Sequence, residues 1–305
     1  LFTQNLEENL IILHNELRYM MYKTGKYFEF EVHDPKKRTI FALPFRDRVA
    51  QHAINNVVEP MFDKTFIYDS YACRKGKGTI AGMKRLRYFL DKLIRNNKRI
   101  YYLKADIEKY YNSIDHEILK QLIKKKIKCK RTLIILDEII DSNQKTKGIP
   151  IGNLTSQLFA NIYINQLDHF LKDDLGVKYY VRYMDDFVIL HPDKKYLKKI
   201  LTFVKNFLDD LKLNLNSKTR IDVIDKGIDF LGYRLFPDYT ILRKRIYKKN
   251  IKKFRKLGRF YKNNEIKAER LNKSISSFLG LCKHCQSYHS RKNVFNQINK
   301  SMDNG

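Results

Sequence analysis

The sequence predicts an α+β protein, and three observations carry that expectation. In KYYVRYMDDFVILHP, β-branched and aromatic runs flank a short polar centre, which reads as a β-hairpin. After it come Leu197, Ile200, Leu201, Val204, Phe207, Leu208 and Leu211, spaced as one apolar face of a helix. Strand-like and helical segments are mixed along 305 residues that are 43% hydrophobic, enough for a sizeable core in one large domain or two or three subdomains.

The chain in order supports that mixture. Leu6, Leu10, Leu13 and Leu17 have helical spacing. A turn at Asp34-Pro35 leads into a basic strand from Lys36 to Leu43. RDRVAQHAINNVVEPMF has helical period and is expected to stop at Pro60. FIYDSYACRKGKGT reads as a strand entering a Gly- and Lys-rich loop, and residues 80–97 as a basic helix. IYYLKADIEKYYNSID is a strand ending near Asp106. IDHEILKQLIKKKIKCKRTLIILDEII reads as helical and very basic in its middle, and KGIPIGNLTSQLFANIYINQLDHFLK as a tight loop opening a helix. FLGYRLF and the run from Tyr239 are short strands, and from Arg243 onward the chain is helical and basic. No repeat, Pro-rich linker or low-complexity tail interrupts it.

Charge narrows the function. Lys and Arg number 61 against 33 acidic residues, a net charge of +28, and a protein so basic ordinarily meets a polyanion, nucleic acid first. An anionic membrane is the other candidate, but no segment approaches about 18 consecutive apolar residues. No secretory signal is visible, and Cys73, Cys129, Cys282 and Cys285 form no regular framework, so a reducing cytoplasmic setting is expected. Cys282 and Cys285 with His289 have no second pair of ligands at finger spacing and read as part of a helix rather than a zinc site. Residues 243–262 hold eleven Lys or Arg and no acid. Such a helix repels itself alone and gains by counterion release against a duplex phosphate backbone. KQLIKKKIKCKR at 120–131 is a second basic face.

The carboxylates narrow it further. Asp185 and Asp186 fall at the tip of the expected hairpin. Two like charges on a buried sheet are costly unless cations sit between them, whereas a plain Asp-Asp turn is commonly only solvated. Asp106 closes an apolar strand, where it suits either a third carboxylate beside the hairpin or the N-cap of the helical sequence that follows. Metal-assisted phosphoryl transfer needs several carboxylates converging on two cations about 3.5–4 Å apart.

A family resemblance rests on ordered motifs. Asp106 is followed by Tyr110-Tyr111, and then come Gly148-Ile149-Pro150-Ile151-Gly152 leading to Ser156-Gln157, Tyr183-Met184-Asp185-Asp186, Leu213-Asn214-Leu215 with Lys218, and Phe230-Leu231-Gly232-Tyr233. In this order they resemble the motifs of reverse transcriptases, over about residues 36–290, and PFRDRVAQHAINNVVEPMF and SYACRKGKGT resemble the fingers motifs. Most reverse transcriptases have Gln-Gly before the helix and Ser-Pro within it, where this chain has Ile151-Gly152 and Ser156-Gln157. That departure, with SFLGLCKHCQSY and RYMDDFVILHPDK, resembles the enzymes of diversity-generating retroelements. Those enzymes copy a template-repeat RNA into cDNA with errors at adenines, and the cDNA replaces a variable repeat. An Ile at 151 cannot orient an incoming nucleotide by hydrogen bonding as Gln does, so the nascent pair is less constrained. A simple packing swap is the alternative.

The resemblance implies a right-hand polymerase, with fingers over 1–100 and part of 115–150, a palm of antiparallel sheet and helices over 101–240, and a helical thumb over 241–305. It implies two Mg²⁺ ions on Asp106, Asp185 and Asp186, with the Ile107 carbonyl as a further ligand. Tyr111 matches the steric gate against a ribose 2′-hydroxyl, although a core aromatic fits the pattern as well. Lys36 and Arg38 match the triphosphate clamp, for which a solvated basic strand is the plain alternative. Arg74 is expected on phosphate, Ile151 at the nascent pair, Lys218 at the pyrophosphate, and Leu231-Gly232 at the primer grip. The implied partners are template RNA, a DNA primer strand, dNTPs and an oligomeric accessory variability protein. Two rivals stand: an antiphage-defence or retron-like reverse transcriptase copying a noncoding RNA, and a nucleic-acid-binding protein with an inactive polymerase fold. The presence of all three aspartates argues against the second.

Overall fold

The computed structural model describes residues 2–33, 37–143 and 146–303. The N-terminal periodic stretch forms α1 (Leu6–Arg18). Strands β1 (Phe28–Val32) and β2 (Arg38–Ala42) pair antiparallel, with Phe28 opposite Ala42 and Val32 opposite Arg38. Helix α2 (Phe45–Asp63) runs through Pro60 instead of stopping there. A helical proline removes one N–H and crowds the carbonyl four residues back. Pro60 and Asn56 both lie on the exposed side of α2, so the freed carbonyl is not shut away from solvent.

The stretch 66–78, expected as a strand, makes turns. Cys73 (φ 53), Gly76 (φ 70) and Gly78 (φ 130) leave the extended region. The strand character that remains is one parallel bridge between Ser70 and Arg182, in which Tyr71 N donates to Arg182 O and Arg182 N to Asp69 O, each at 3.0 Å. Then follow α3 (Thr79–Asn96), β3 (Tyr101–Asp106) and the single turn α4 (Tyr110–Ser113). The long basic helix expected next is two, α5 (His116–Lys126) and α6 (Lys130–Asp141). Asp115 caps α5 by accepting from Ile118 N at 3.1 Å. At the other end Ile127 turns extended and is buried, which interrupts the run of like charges from Lys124 to Arg131.

Helix α7 (Leu154–His169) buries Leu158, Phe159, Ile162, Tyr163 and Ile164, and also Asn161 and Asp168. A helix buried on nearly every side belongs to the core. Beyond it lie a π-helical turn (Phe170–Asp174), β4 (Tyr180–Tyr183), β5 (Asp186–His191), α8 (Lys194–Asp210) and β6 (Arg220–Val223). The chain closes with β7 (Ile228–Phe230), β8 (Tyr233–Leu235), β9 (Thr240–Leu242), α9 (Lys244–Lys262), α10 (Ala268–Cys282) and α11 (Tyr288–Asp303). Four strands run in the order β4, β5, β3, β6, and β7, β8 and β9 form an antiparallel meander.

The chain divides into two compact units, each drawn from separate segments. The first comprises residues 1–78, 105–189 and 198–220. In it α2 and α5 pack on α7, α1 packs on α2, and Phe170 stacks on Phe207 with ring centroids 4.3 Å apart. The second comprises residues 79–104, 190–197 and 221–305. There α10 and α11 pack on α9, and Phe254 meets Phe278 edge-on. Gly258 lets α11 approach, since a Cβ at that position would sit 1.9 Å from Ser301 Oγ. Tyr233 of the meander donates its hydroxyl to Leu281 O at 3.0 Å.

Candidate active site

The β4–β5 register sets the centre of the first unit. Tyr180 lies opposite Ile189, Arg182 opposite Phe187 and Tyr183 opposite Asp186, which leaves Met184-Asp185 as a two-residue turn. Met184 has φ 55. Two-residue hairpins need a positive φ at the first turn position to match strand twist, and glycine or asparagine usually supplies it. Asp185 therefore sits in the turn and Asp186 opens β5.

The end of β3 meets this turn. Ile107 N donates to Asp185 O at 3.3 Å, and Asn216 N donates to Asp106 O at 2.7 Å. Ile107 lies opposite Leu215 in an isolated antiparallel bridge. The hairpin tip, the end of β3 and the 214–216 segment thus converge on Asp106 and Ile107. The Asp185 carboxyl is pushed up to about 6, first by burial, then by the charge of Asp106, and less by that of Asp186. A hydrogen bond with the Asp106 carboxyl adds to the rise.

Two carboxylates in such contact repel unless a proton or a cation lies between them. Among the described residues no group of three or more His, Cys, Asp or Glu stands as a ready-made metal cage. Mg²⁺ takes one or two protein carboxylates and completes its shell with water and substrate phosphates. The donor set at Asp106 and Asp185 fits such an ion.

Tyr111 lies beside the turn, its hydroxyl 4.0 Å from Met184 Sδ. Burial raises its phenol above the ordinary value; the charges of Cys73 and Asp185 push the same way, and Arg38 opposes them. Those influences place Tyr111, Cys73, Asp185 and Arg38 in one neighbourhood. Tyr110 packs edge-on against Tyr111 and donates to Ala160 O at 2.5 Å, which anchors α4 on the core helix.

The Gly148–Gly152 loop brackets Tyr111. Gly148 N donates to Ile114 O at 2.7 Å and Ile149 N to Tyr111 O at 2.9 Å. The buried His116 sets its Nε2 2.8 Å from Gly148 O and its Nδ1 3.1 Å from Asp141 Oδ1. At the other end Phe41 N donates to Ile151 O at 2.9 Å, which ties the loop to the strand carrying Arg38. Gly152 has φ 128, and a Cβ there would lie 2.6 Å from Phe41 O, so the close approach requires glycine. Ile151 is half-buried.

The remaining expected residues fall variously. Lys36 lies outside the described residues. Lys37 pairs with Glu31 at 2.8 Å, and Arg38 is exposed at the start of β2. Arg74, expected on phosphate, is largely buried in its own loop. Its Nε donates to Asp63 Oδ1 at 2.6 Å, Nη1 to Ile67 O at 2.7 Å and Ser70 O at 3.1 Å, and Nη2 to Asp63 O at 3.3 Å. Lys218 is exposed, and its N–H donates to Asn216 Oδ1 at 3.0 Å, one residue pair away from the Asp106 carbonyl.

Leu231 and Gly232 belong to the second unit. They form the two-residue turn between β7 and β8, with φ 49 and φ 91. Arg243 N donates to Gly232 O at 2.9 Å. Next to that turn, Asp229, Arg234, Arg243, Lys244, Lys248 and Lys252 line an open groove of about 750 Å³.

Sequence reasoning passed over Arg182 and Asp168. Both are wholly buried, and they pair bidentately, Nε to Oδ1 at 2.7 Å and Nη2 to Oδ2 at 2.6 Å. The signal was available as an Arg inside the otherwise apolar strand YYVRY and an Asp inside an apolar helix.

Protein YkfC of Escherichia coli (strain K12) is 24% identical over 242 residues, which are 66% of this chain and 63% of that protein. The group II intron-encoded protein LtrA of Lactococcus lactis is 26% identical over 145 residues, 45% of this chain and 23% of LtrA. The chain thus spans less than two thirds of the length of the curated relatives it matches. Telomerase from Candida tropicalis in complex with a fragment of telomeric RNA superposes with a TM-score of 0.56 at 14% identity, covering 92% of this chain and 59% of that one. A truncated apo telomerase from the same organism gives 0.56 at 16% identity, covering 73% and 55%. These likenesses carry the fold, a mixed helix-and-strand right-hand polymerase. The sequence model of the family described as reverse transcriptase (RNA-dependent DNA polymerase) matches residues 31–235, a span that holds Asp106, the Gly148–Gly152 loop, the Met184-Asp185 turn and Leu231-Gly232. With two thirds of its length matched across every one of those motifs, the chain belongs to the reverse transcriptase family.

Proposed function

We propose that the chain is an RNA-directed DNA polymerase of the diversity-generating retroelement type, joining dNTPs to a DNA primer on an RNA template. The observation that carries the polymerase reading is the convergence of the hairpin turn, the end of β3 and the 214–216 segment on Asp106, with Ile107 N donating to Asp185 O at 3.3 Å and Asn216 N to Asp106 O at 2.7 Å. A site that holds two carboxylates against each other is prepared for cations. Asp106, Asp185 and Asp186, with the Ile107 carbonyl, would hold two Mg²⁺, which when bound would supply the charge that activates a primer 3′-hydroxyl and steadies departing pyrophosphate.

The protein's own residues do the rest. Tyr111, beside Met184, limits space at the sugar of the incoming nucleotide. Arg38, with Lys36, grips the triphosphate, a task that suits the guanidinium fork. Arg74 shapes the loop beneath Cys73 and leaves the phosphates to Arg38. Lys218 stands over the leaving pyrophosphate. Leu231 and Gly232 offer main chain to the primer, and the basic groove at the start of α9 takes duplex phosphates by counterion release. In this reading residues 1–100 with part of 115–150 are fingers, 101–240 palm and 241–305 thumb.

The retroelement type rests on Ile151. Its carbonyl is engaged with Phe41 N and its side chain is apolar, so the loop offers no side-chain hydrogen bond at that position. A nascent pair so loosely held is prone to misincorporation. The partners that follow are a template-repeat RNA, a primer strand, dNTPs and an oligomeric accessory variability protein, met in the cytoplasm. Among the described residues no helix is long and apolar enough to cross a membrane. Sequencing of cDNA made on an adenine-containing RNA template tests the type. Errors concentrated opposite adenine are expected, and they should fall several-fold in Ile151→Gln. Accurate cDNA from the unaltered protein would move the assignment to a defence or retron-like enzyme.

A further inference from the structure

We propose that Arg182 is a positioning residue that holds the Met184-Asp185 turn and so aims Asp185 at Asp106; the inference rests on the metal-binding reading of those aspartates. The turn needs an external hold. Methionine at a positive φ, where glycine usually sits, relaxes unless its surroundings fix it. The fixing contact is direct, since Arg182 Nη1 donates to Met184 O at 2.9 Å. That carbonyl belongs to the peptide unit whose nitrogen is that of Asp185, so the bond orients the plane from which the carboxylate springs.

The guanidinium is itself immobile. Nε and Nη2 grip the two oxygens of Asp168, Nη1 also donates to Asn161 Oδ1 at 3.2 Å, and Nη2 to Ser70 Oγ at 2.9 Å. Five bonds use all five guanidinium N–H groups. Asp168 is held in turn by Tyr180, whose hydroxyl donates to Oδ1 at 2.6 Å, and Asn161 donates to Ala72 O at 3.0 Å. The turn is therefore referenced to the core helix α7 and to the 69–72 segment together. A buried ion pair is weak evidence for stability, because a well-packed apolar pair often does as well. Its geometric yield here is specific, a fixed donor under a strained turn. Lysine cannot reproduce it, having a point charge in place of a planar fork.

The test compares Arg182→Lys and Asp168→Asn, each with and without Met184→Gly. Glycine adopts the turn without strain, so it should recover what loss of the hold removes. The first readout is Mn²⁺ binding to the nucleic-acid-free protein, followed by electron paramagnetic resonance. The second is primer extension as a function of Mg²⁺ and dNTP. For Arg182→Lys we expect Mn²⁺ affinity about 10-fold weaker and kcat about 10- to 100-fold lower, with KM for dNTP changed less. Asp168→Asn, which keeps the side-chain volume, should show a smaller loss in the same direction. Partial recovery of Mn²⁺ affinity by Met184→Gly in either background is the expected signature. Unchanged Mn²⁺ affinity in folded Asp168→Asn or Arg182→Lys overturns the proposal. So does a loss that Met184→Gly does not recover, which would leave the pair a core role alone. If the unaltered protein binds Mn²⁺ and makes no cDNA, the polymerase reading fails while the Mn²⁺ comparison still judges Arg182.

Discussion

Two hairpin turns in this protein use one device for different ends. The turn Met184-Asp185 and the turn Leu231-Gly232 each join paired strands through two residues, and each sets a bulky apolar residue at positive φ, 55 and 49. At the first, the second position carries a carboxylate, and a buried guanidinium clamps the turn from below. At the second, that position is a glycine at φ 91, and a main-chain N–H from Arg243 holds it. The turn that carries a carboxylate rests on a charged, fully satisfied support, whereas the neutral turn rests on one main-chain donor and a second position without a Cβ. The cost of strain is accepted at both, as expected where geometry serves function.

The comparison breaks most visibly at the carboxylates. Asp185→Asn and Asp106→Asn should each lower nucleotide addition by about 10³-fold or more, since stabilisation of several kcal/mol is lost. Steady-state extension measures this, and binding of primer-template should persist. A smaller loss is expected at the neutral turn. Gly232→Ala must hold φ 91 and bring a Cβ to 2.8 Å from Ile246 Cδ1, a strain of about 1–3 kcal/mol. A lowered Tm and a raised KM for primer-template, with kcat for bound primer nearly kept, would show that this turn serves the primer.

The smallest effect separates the turns by pH. The Asp185 carboxyl is raised from 3.8 to about 6 in the folded protein. A group so raised contributes stability that is fully present below 3.8 and is lost as pH climbs through about 6. The metal-free protein should therefore lose stability on going from pH 4.5 to pH 7 through this group, and Asp185→Asn should lack that component. Mg²⁺ should raise Tm more at pH 7.5 than at pH 5, because it replaces the proton between the carboxylates. Thermal melts at both pH values, with and without Mg²⁺, decide it.

Much of this was legible in the sequence because it depends on local pattern. The alternation around Met184-Asp185 fixes a hairpin, and the apolar run before Asp106 fixes a strand end beside it. The rest depends on partners far along the chain. Arg74 reads as a phosphate ligand, and nothing local announces that its donors reach Asp63 and the Ile67 and Ser70 carbonyls. Arg182 reads as one polar residue in an alternating strand, and its role follows only when α7 brings Asp168 and Asn161 beneath it. The stretch 66–78 has strand composition, yet Cys73 takes a left-handed conformation that composition does not announce. Pro60 signals a helix end by its chemistry, and its exposed setting on α2 lets the helix continue.

The most direct test of the central claim is extension of a DNA primer on an RNA template by the unaltered protein, with Mg²⁺ and then with Mg²⁺ removed by chelation. Templated cDNA is expected to disappear on chelation, to return with Mg²⁺, and to be absent throughout from the Asp185→Asn protein. Synthesis that persists in Asp185→Asn at the unaltered rate would contradict the assignment of the turn as the catalytic centre.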